Sequence, residues 1–128
     1  MAARACGGAG QMLQITHVLT DRGSRYAVAG GPVLGHAGAA AFLVDLKRPK
    51  KFAKATHHSW AAVLGGEAVR HDDGEAGAGD VILRMIQREG LADHIIVVTR
   101  WYGGVHLGGD RFAHIVTCVR EYLAARVR

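Results

Sequence analysis

Four β-branched residues in a row, Ile95-Ile96-Val97-Val98, constrain this chain more than any other feature. A strand with one wet face alternates apolar and polar side chains. A continuous apolar run instead predicts a central strand buried on both faces. The 128 residues fit one domain, long enough to bury a core without staples.

Other elements follow from local pattern. Residues 1–11 are small and glycine-rich and are expected to be a flexible lead-in. "MLQITHVL" and "RYAVAGGPVL" flank the turn signal "TDRGS", so residues 12–34 read as a hairpin. Gly30-Gly31-Pro32 in its second strand implies a bulge or strand end at a sheet edge. "HAGAAAFLVDLKR" is a helix former with Ala39, Phe42, Leu43 and Leu46 as its apolar positions, and Pro49 ends it. "ATHHSWAAVL" reads as a strand and "GGEAVRHDDGEAGAG" as a loop. Asp80 is the expected N-cap of a helix that Gly90 closes. After the central strand, Asp110 is the expected cap of a last helix. Its stripe is Phe112, Ile115, Val116, Val119, Tyr122 and Leu123. The order β-β-α-β-α-β-α predicts an α+β, two-layer α/β sandwich on a mixed sheet, a single domain over residues 12–128.

Composition narrows the function classes. Cys6 and Cys118 are isolated and do not form a disulfide framework, which favours a reducing compartment. No apolar run reaches the length of a membrane span, and the first residues lack a signal-peptide core. A cytoplasmic protein with no membrane partner is the expectation. The formal charge of +5 permits attraction to nucleic acid or acidic proteins.

Four stretches carry possible chemistry. "TRWYGGVHLGGDRF" sets Gly103, Gly104, Gly108 and Gly109 among Arg100, Arg111 and three aromatics. Glycines allow positive φ and close approach, and successive N–H groups in such turns can hold an anion. The loop is neither a Walker A sequence nor a dinucleotide fingerprint. "HDDGEAGAG" gathers Asp72, Asp73 and Glu75, which suit helix capping or pairing with arginines better than a calcium loop. In "ATHHSWAA", Thr56, His58 and Trp60 share one strand face, and His57 and Ser59 the other, with one histidine directed inward. No Cys/His set has zinc spacing and no nucleophile elbow is present, so no metal, no cofactor and no catalytic set is expected. "LKRPKKFAK" concentrates Lys47, Arg48, Lys50, Lys51 and Lys54, either a solvated helix end or a phosphate-contacting run.

Three of these blocks together, "VVTRWYGGVHLGGDRFAHI", "ATHHSWA" and "HDDGEAGAG", resemble the Impact/YigZ family, and "DRGSRYAVAGGPV" is similar to the family's first block. The resemblance spans about residues 20–125. "LGGDRFAHI" looks like the eukaryotic Impact type, with Gly109 where that branch carries proline. The resemblance implies a fold like the second domain of small-subunit ribosomal protein five, with helices on one face of a mixed sheet. It also implies a regulator of translation and stress response that contacts a protein partner, such as the activator scaffold of the starvation-sensing initiation-factor kinase. The family's RWD domain is expected to be missing, since none fits beside this domain in 128 residues.

The leading expectation is thus a non-catalytic binding module. Its surface comprises His57, Asp72, Asp73, Glu75, Arg100, Trp101, Tyr102, Gly103, Gly104 and Arg111. Arg100 is expected to anchor an acid or phosphate, and the three acids to brace the arginines. The alternatives are an RNA- or ribosome-binding domain using Lys47–Lys54, and an enzyme of unknown type.

Overall fold

The computed structural model describes residues 3–6, as backbone, and 11–127. Six strands form one sheet: β1 (Ala3–Cys6), β2 (Met12–Asp21), β3 (Ser24–Pro32), β4 (His57–Leu64), β5 (Glu67–His71) and β6 (His94–Trp101). Four helices accompany them: α1 (Gly35–Leu46), α2 (Lys50–Ala53), α3 (Ala78–Arg88) and α4 (Asp110–Arg126). The spatial order is β1-β2-β3-β6-β4-β5. Part of the expected lead-in, Ala3–Cys6, therefore pairs with β2, while residues 1–2 and 7–10 lie outside the described residues.

β6 is central, as its apolar run requires. Ile95, Ile96, Val97 and Val98 are all buried, and β6 pairs with β3 on one side and β4 on the other. Each such side chain contributes about 1.5–3 kcal/mol through burial. Alternate residues feed two different cores. Ile96 and Val98 join Tyr26, Val28 and Ala61 under α3 and α4. Ile95 and Val97 join Ala27, Ala29 and Ala62 under Phe42 and Leu46 of α1 and Phe52 of α2. Helices α3 and α4 pack together on one face, the layer that was expected. The α1–α2 segment seals the other face.

Several expectations need correction. The sheet is not mixed: every strand pair is antiparallel. The cause is an unforeseen hairpin. Glu67–His71, expected as loop, folds back on β4 because Gly65 and Gly66 both take positive φ at the turn. β3 is interior rather than an edge strand. Pro32 merely ends it, and Gly30 and Gly31 are there because other groups press in. A Cβ on Gly30 would sit 2.5 Å from the Tyr122 ring, and one on Gly31 would sit 2.0 Å from the Gln11 carbonyl oxygen. The register irregularity falls in β2, between Ile15 and Leu19. Neither expected aspartate is an N-cap: Gly77 precedes α3 and Gly109 precedes α4. Asp80 pairs with Arg84 inside α3, and Asp110 reaches Arg22 of the β2–β3 turn.

Candidate functional site

Arg100 stands near the end of β6, on the α3/α4 face, directly beside Tyr26 of β3 and His57 of β4. It is 5% exposed, so its charge must be answered from within the protein. Glu75 answers it: Nη1 donates to Glu75 Oε1 at 2.5 Å, and Glu75 is itself buried. Nε and Nη2 point to Ser24 Oγ at 3.4 and 3.3 Å. The guanidinium also lies 5.6 Å from the Tyr26 ring centroid and 5.7 Å from that of Tyr102. Arg100 is a buried keystone here, not the free anchor expected from the sequence.

The turn before α3 explains how Glu75 reaches it. Asp72 Oδ2 accepts from the Gly77 N–H at 3.0 Å and Oδ1 from the Gly79 N–H at 2.8 Å. One carboxylate thereby caps the helix from outside it. These two bonds hold the Asp72 carboxyl below the usual carboxylate range. Asp73, at φ 51°, accepts from the His58 backbone N–H through Oδ2 at 2.6 Å, and its carbonyl lies 2.8 Å from His57 Nδ1. Ser59 donates to the Asp72 carbonyl at 2.7 Å. Of the three acids expected to brace arginines, only Glu75 does so. Asp72 and Asp73 instead tie the turn to α3 and β4.

The strand alternation in "THHSW" is as expected, and its inward histidine is His58. It bridges Thr99 Oγ1 and the Phe52 carbonyl at 2.9 Å each, and burial holds its pKa below the ordinary value. Alternation also separates Trp101 from Arg100. Trp101 turns to the α1/α2 face, where it meets Phe52 edge-on at 5.0 Å and donates to the Lys51 carbonyl at 3.0 Å. Arg25 and the Lys51 ammonium flank its ring at 5.7 and 5.5 Å. Trp101 therefore belongs with the basic run Lys47–Lys54, whose cations are exposed. Arg48 alone among them pairs with an acid, Asp45, among the described residues.

The glycine loop is built against the β2–β3 turn. The Gly103 N–H donates to Ser24 Oγ at 3.1 Å. A Cβ at Gly103 would lie 2.1 Å from the Gly23 carbonyl carbon, so only glycine fits. Beyond it, Gly104 and Gly108 take positive φ and carry the chain to α4. Between this loop, β4 and the Asp72–Glu75 turn lies an open cleft of about 540 Å³. Its wall includes Thr56, His57, Glu75, Arg100, Tyr102 and Arg111, with Leu107 and Phe112 as apolar floor. Tyr102 and Val105 are the exposed large apolar side chains of the loop.

The structure thus gathers His57, Glu75, Arg100, Tyr102 and Arg111 around one cleft. It places Gly103, Asp72 and Asp73 in the supporting frame, leaves Gly104 as a turn, and sends Trp101 to the opposite face. Sequence reasoning omitted Ser24, Thr56, His106, Leu107 and Phe112 from the site, and Arg25 from the basic surface. Ser24 had a signal, the turn "DRGS". The others depend on which loops meet. No group of three or more possible metal ligands occurs among the described residues.

The fold and site define a small α+β domain with an open, partly apolar cleft at the end of its central strand. Residues 22–123 match the Impact N-terminal domain, and the chain belongs to that family. It is similar to the Protein IMPACT homolog of Saccharomyces cerevisiae (strain ATCC 204508 / S288c), 38% identical over 109 residues, covering 80% of this chain and 42% of that protein. It is also similar to Protein IMPACT of Bos taurus, 37% identical, covering 84% and 36%. The chain therefore spans about two fifths of the length of these relatives. A solved structure of the two-domain translational regulator Yih1 superposes with a TM-score of 0.51 at 36% identity, covering 86% of this chain and 46% of that one. A second, described as a hypothetical protein, superposes with a TM-score of 0.76 at 25% identity, covering 97% and 61%.

Proposed function

We propose that this domain regulates translation by binding a protein partner through the loop between β6 and α4. The carrying observation is the pairing of exposed Tyr102 and Val105 on a loop held rigid at Gly103. Aromatic and apolar side chains presented on a fixed frame supply contact area at low ordering cost. Two of the polar groups nearby are already engaged. Arg100 is matched by Glu75, and His57 Nδ1 by the Asp73 carbonyl. The family's translational setting makes the activator scaffold of the starvation-sensing initiation-factor kinase the partner to test. Affinity for that scaffold in co-precipitation is expected to fall about thirtyfold in Tyr102→Ser/Val105→Asp, a loss of hot-spot size. Retention of binding by that variant removes the loop from the interface.

A second reading has its own observation: exposed Arg25 and Lys51 flank the Trp101 ring beside the lysine run on the α1/α2 face. On this reading the domain contacts RNA or the ribosome through phosphates. Anisotropy of labelled RNA over a salt series then shows steep salt dependence that Lys50→Glu/Lys51→Glu abolishes. Flat salt dependence, or binding indifferent to those changes, rejects it.

A further inference from the structure

We propose that the cleft at the start of α4 binds a small organic anion, an acid head on an aromatic or apolar body. The volume, about 540 Å³, lies within the range of small-molecule sites. The lining is divided by chemistry. Leu107, Phe112 and Tyr102 offer apolar surface, while Arg111, His57 and Thr56 offer polar groups.

Arg111 decides the charge of the ligand. Its Nε is buried without a hydrogen-bond partner, and its Nη2 has only a 3.4 Å contact to the Ala76 carbonyl. A guanidinium with so few partners leaves its outer N–H groups available to an arriving acceptor. The guanidinium stacks on the Phe112 ring at 4.7 Å. Stacking occupies its face and leaves the in-plane N–H groups for a carboxylate or phosphate.

The neighbouring acids do not compete for it. Asp110 is taken by Arg22 and Asp72 by the backbone of α3. Glu75 lies in the same wall, but it is 2% exposed and matched by Arg100. That pair cancels, so the cleft retains the charge of Arg111. No side chain hydrogen-bonds the N-terminus of α4, and the one acid in its first turn, Asp110, is held by Arg22. An anion seated on Arg111 places its body on Leu107 and Phe112.

The test is NMR titration of the full chain with phenyl phosphate, phenylacetate and inorganic phosphate. Saturable shifts at residues 57 and 107–112 are expected for at least one aromatic acid. The better head, phosphate or carboxylate, names the ligand class. Arg111→Gln is expected to weaken binding about tenfold, as loss of a charge-assisted contact does. Gly109→Phe serves as a second variant, because nothing lies within 4 Å of a Cβ there and its ring would fill the cleft with Arg111 intact. It is expected to block binding. Three results would overturn the proposal: no saturation by either aromatic acid, unchanged affinity in both variants, or inorganic phosphate binding as tightly as phenyl phosphate. The last would mean a charge without a pocket for the body.

Discussion

Arg100 and Trp101 are consecutive in the chain and sit in two different kinds of surface. Arg100 faces α3 and α4, where charge is buried and matched: Glu75 on its guanidinium, Asp72 on α3. Trp101 faces α1 and α2, where exposed Arg25 and Lys51 gather at a half-buried aromatic ring. The first arrangement holds the fold together and shapes a cleft from what remains. The second packs its ring edge on the core and leaves its cations available. One peptide bond separates scaffold chemistry from contact chemistry, because a strand sends neighbours to opposite faces.

The sharpest way to break this comparison is to unmatch the buried pair. Glu75→Ala or Arg100→Ala is expected to cost about 3–5 kcal/mol, because each leaves an uncompensated buried charge. Arg100→Met/Glu75→Leu should recover most of it. Urea denaturation of the three variants measures this, and a cost below about 1 kcal/mol for either single change would place the pair with ordinary surface bridges.

The opposite end of the same face gives the next effect. Buried His94 lies 2.7 Å from the Tyr122 hydroxyl, and burial, with a smaller contribution from Arg126, pushes its pKa from 6.5 down to about 4. The folded state then binds fewer protons than the unfolded state between those values. Stability is full above pH 6.5 and falls as the pH drops toward 4, by an amount on the order of 3 kcal/mol. His94→Gln should flatten that acid limb in denaturation curves taken across the interval.

Asp72→Ala removes the cap of α3 and should cost about 1 kcal/mol, with the loss seen first in amide exchange at the start of that helix. The smallest effect lies on the other face. Lys50→Glu/Lys51→Glu should change stability by less than about 0.5 kcal/mol. A larger thermal shift would show that the exposed cations also support the fold and would erase the contrast.

Much of the frame was legible in the sequence. The run at Ile95–Val98 announced the central strand, and the stripe from Phe112 to Leu123 announced α4. Period and burial alone suffice for those. The site was legible in its members but not in its assignments. Asp72, Asp73 and Glu75 stand within four residues and share turn chemistry, yet each takes a different partner. Those choices depend on where β4 and β6 bring His58 and Arg100. The β5 hairpin escaped notice because Glu67–His71 is polar and largely exposed, as an edge strand is. Adjacency to Arg100 puts Trp101 in the surface expected from the sequence, whereas strand alternation sends it to the other face.

The contact of Gly103 with Gly23 reaches beyond geometry. It makes position 103 a locus with an alphabet of one letter in a saturation library. The neighbouring Gly109, with open space around it, should accept many letters. Variation in this loop is therefore channelled: its length and tip can be rewritten to suit a new ligand, but its attachment to the hairpin cannot. Whoever redesigns the loop inherits a hinge that is already welded.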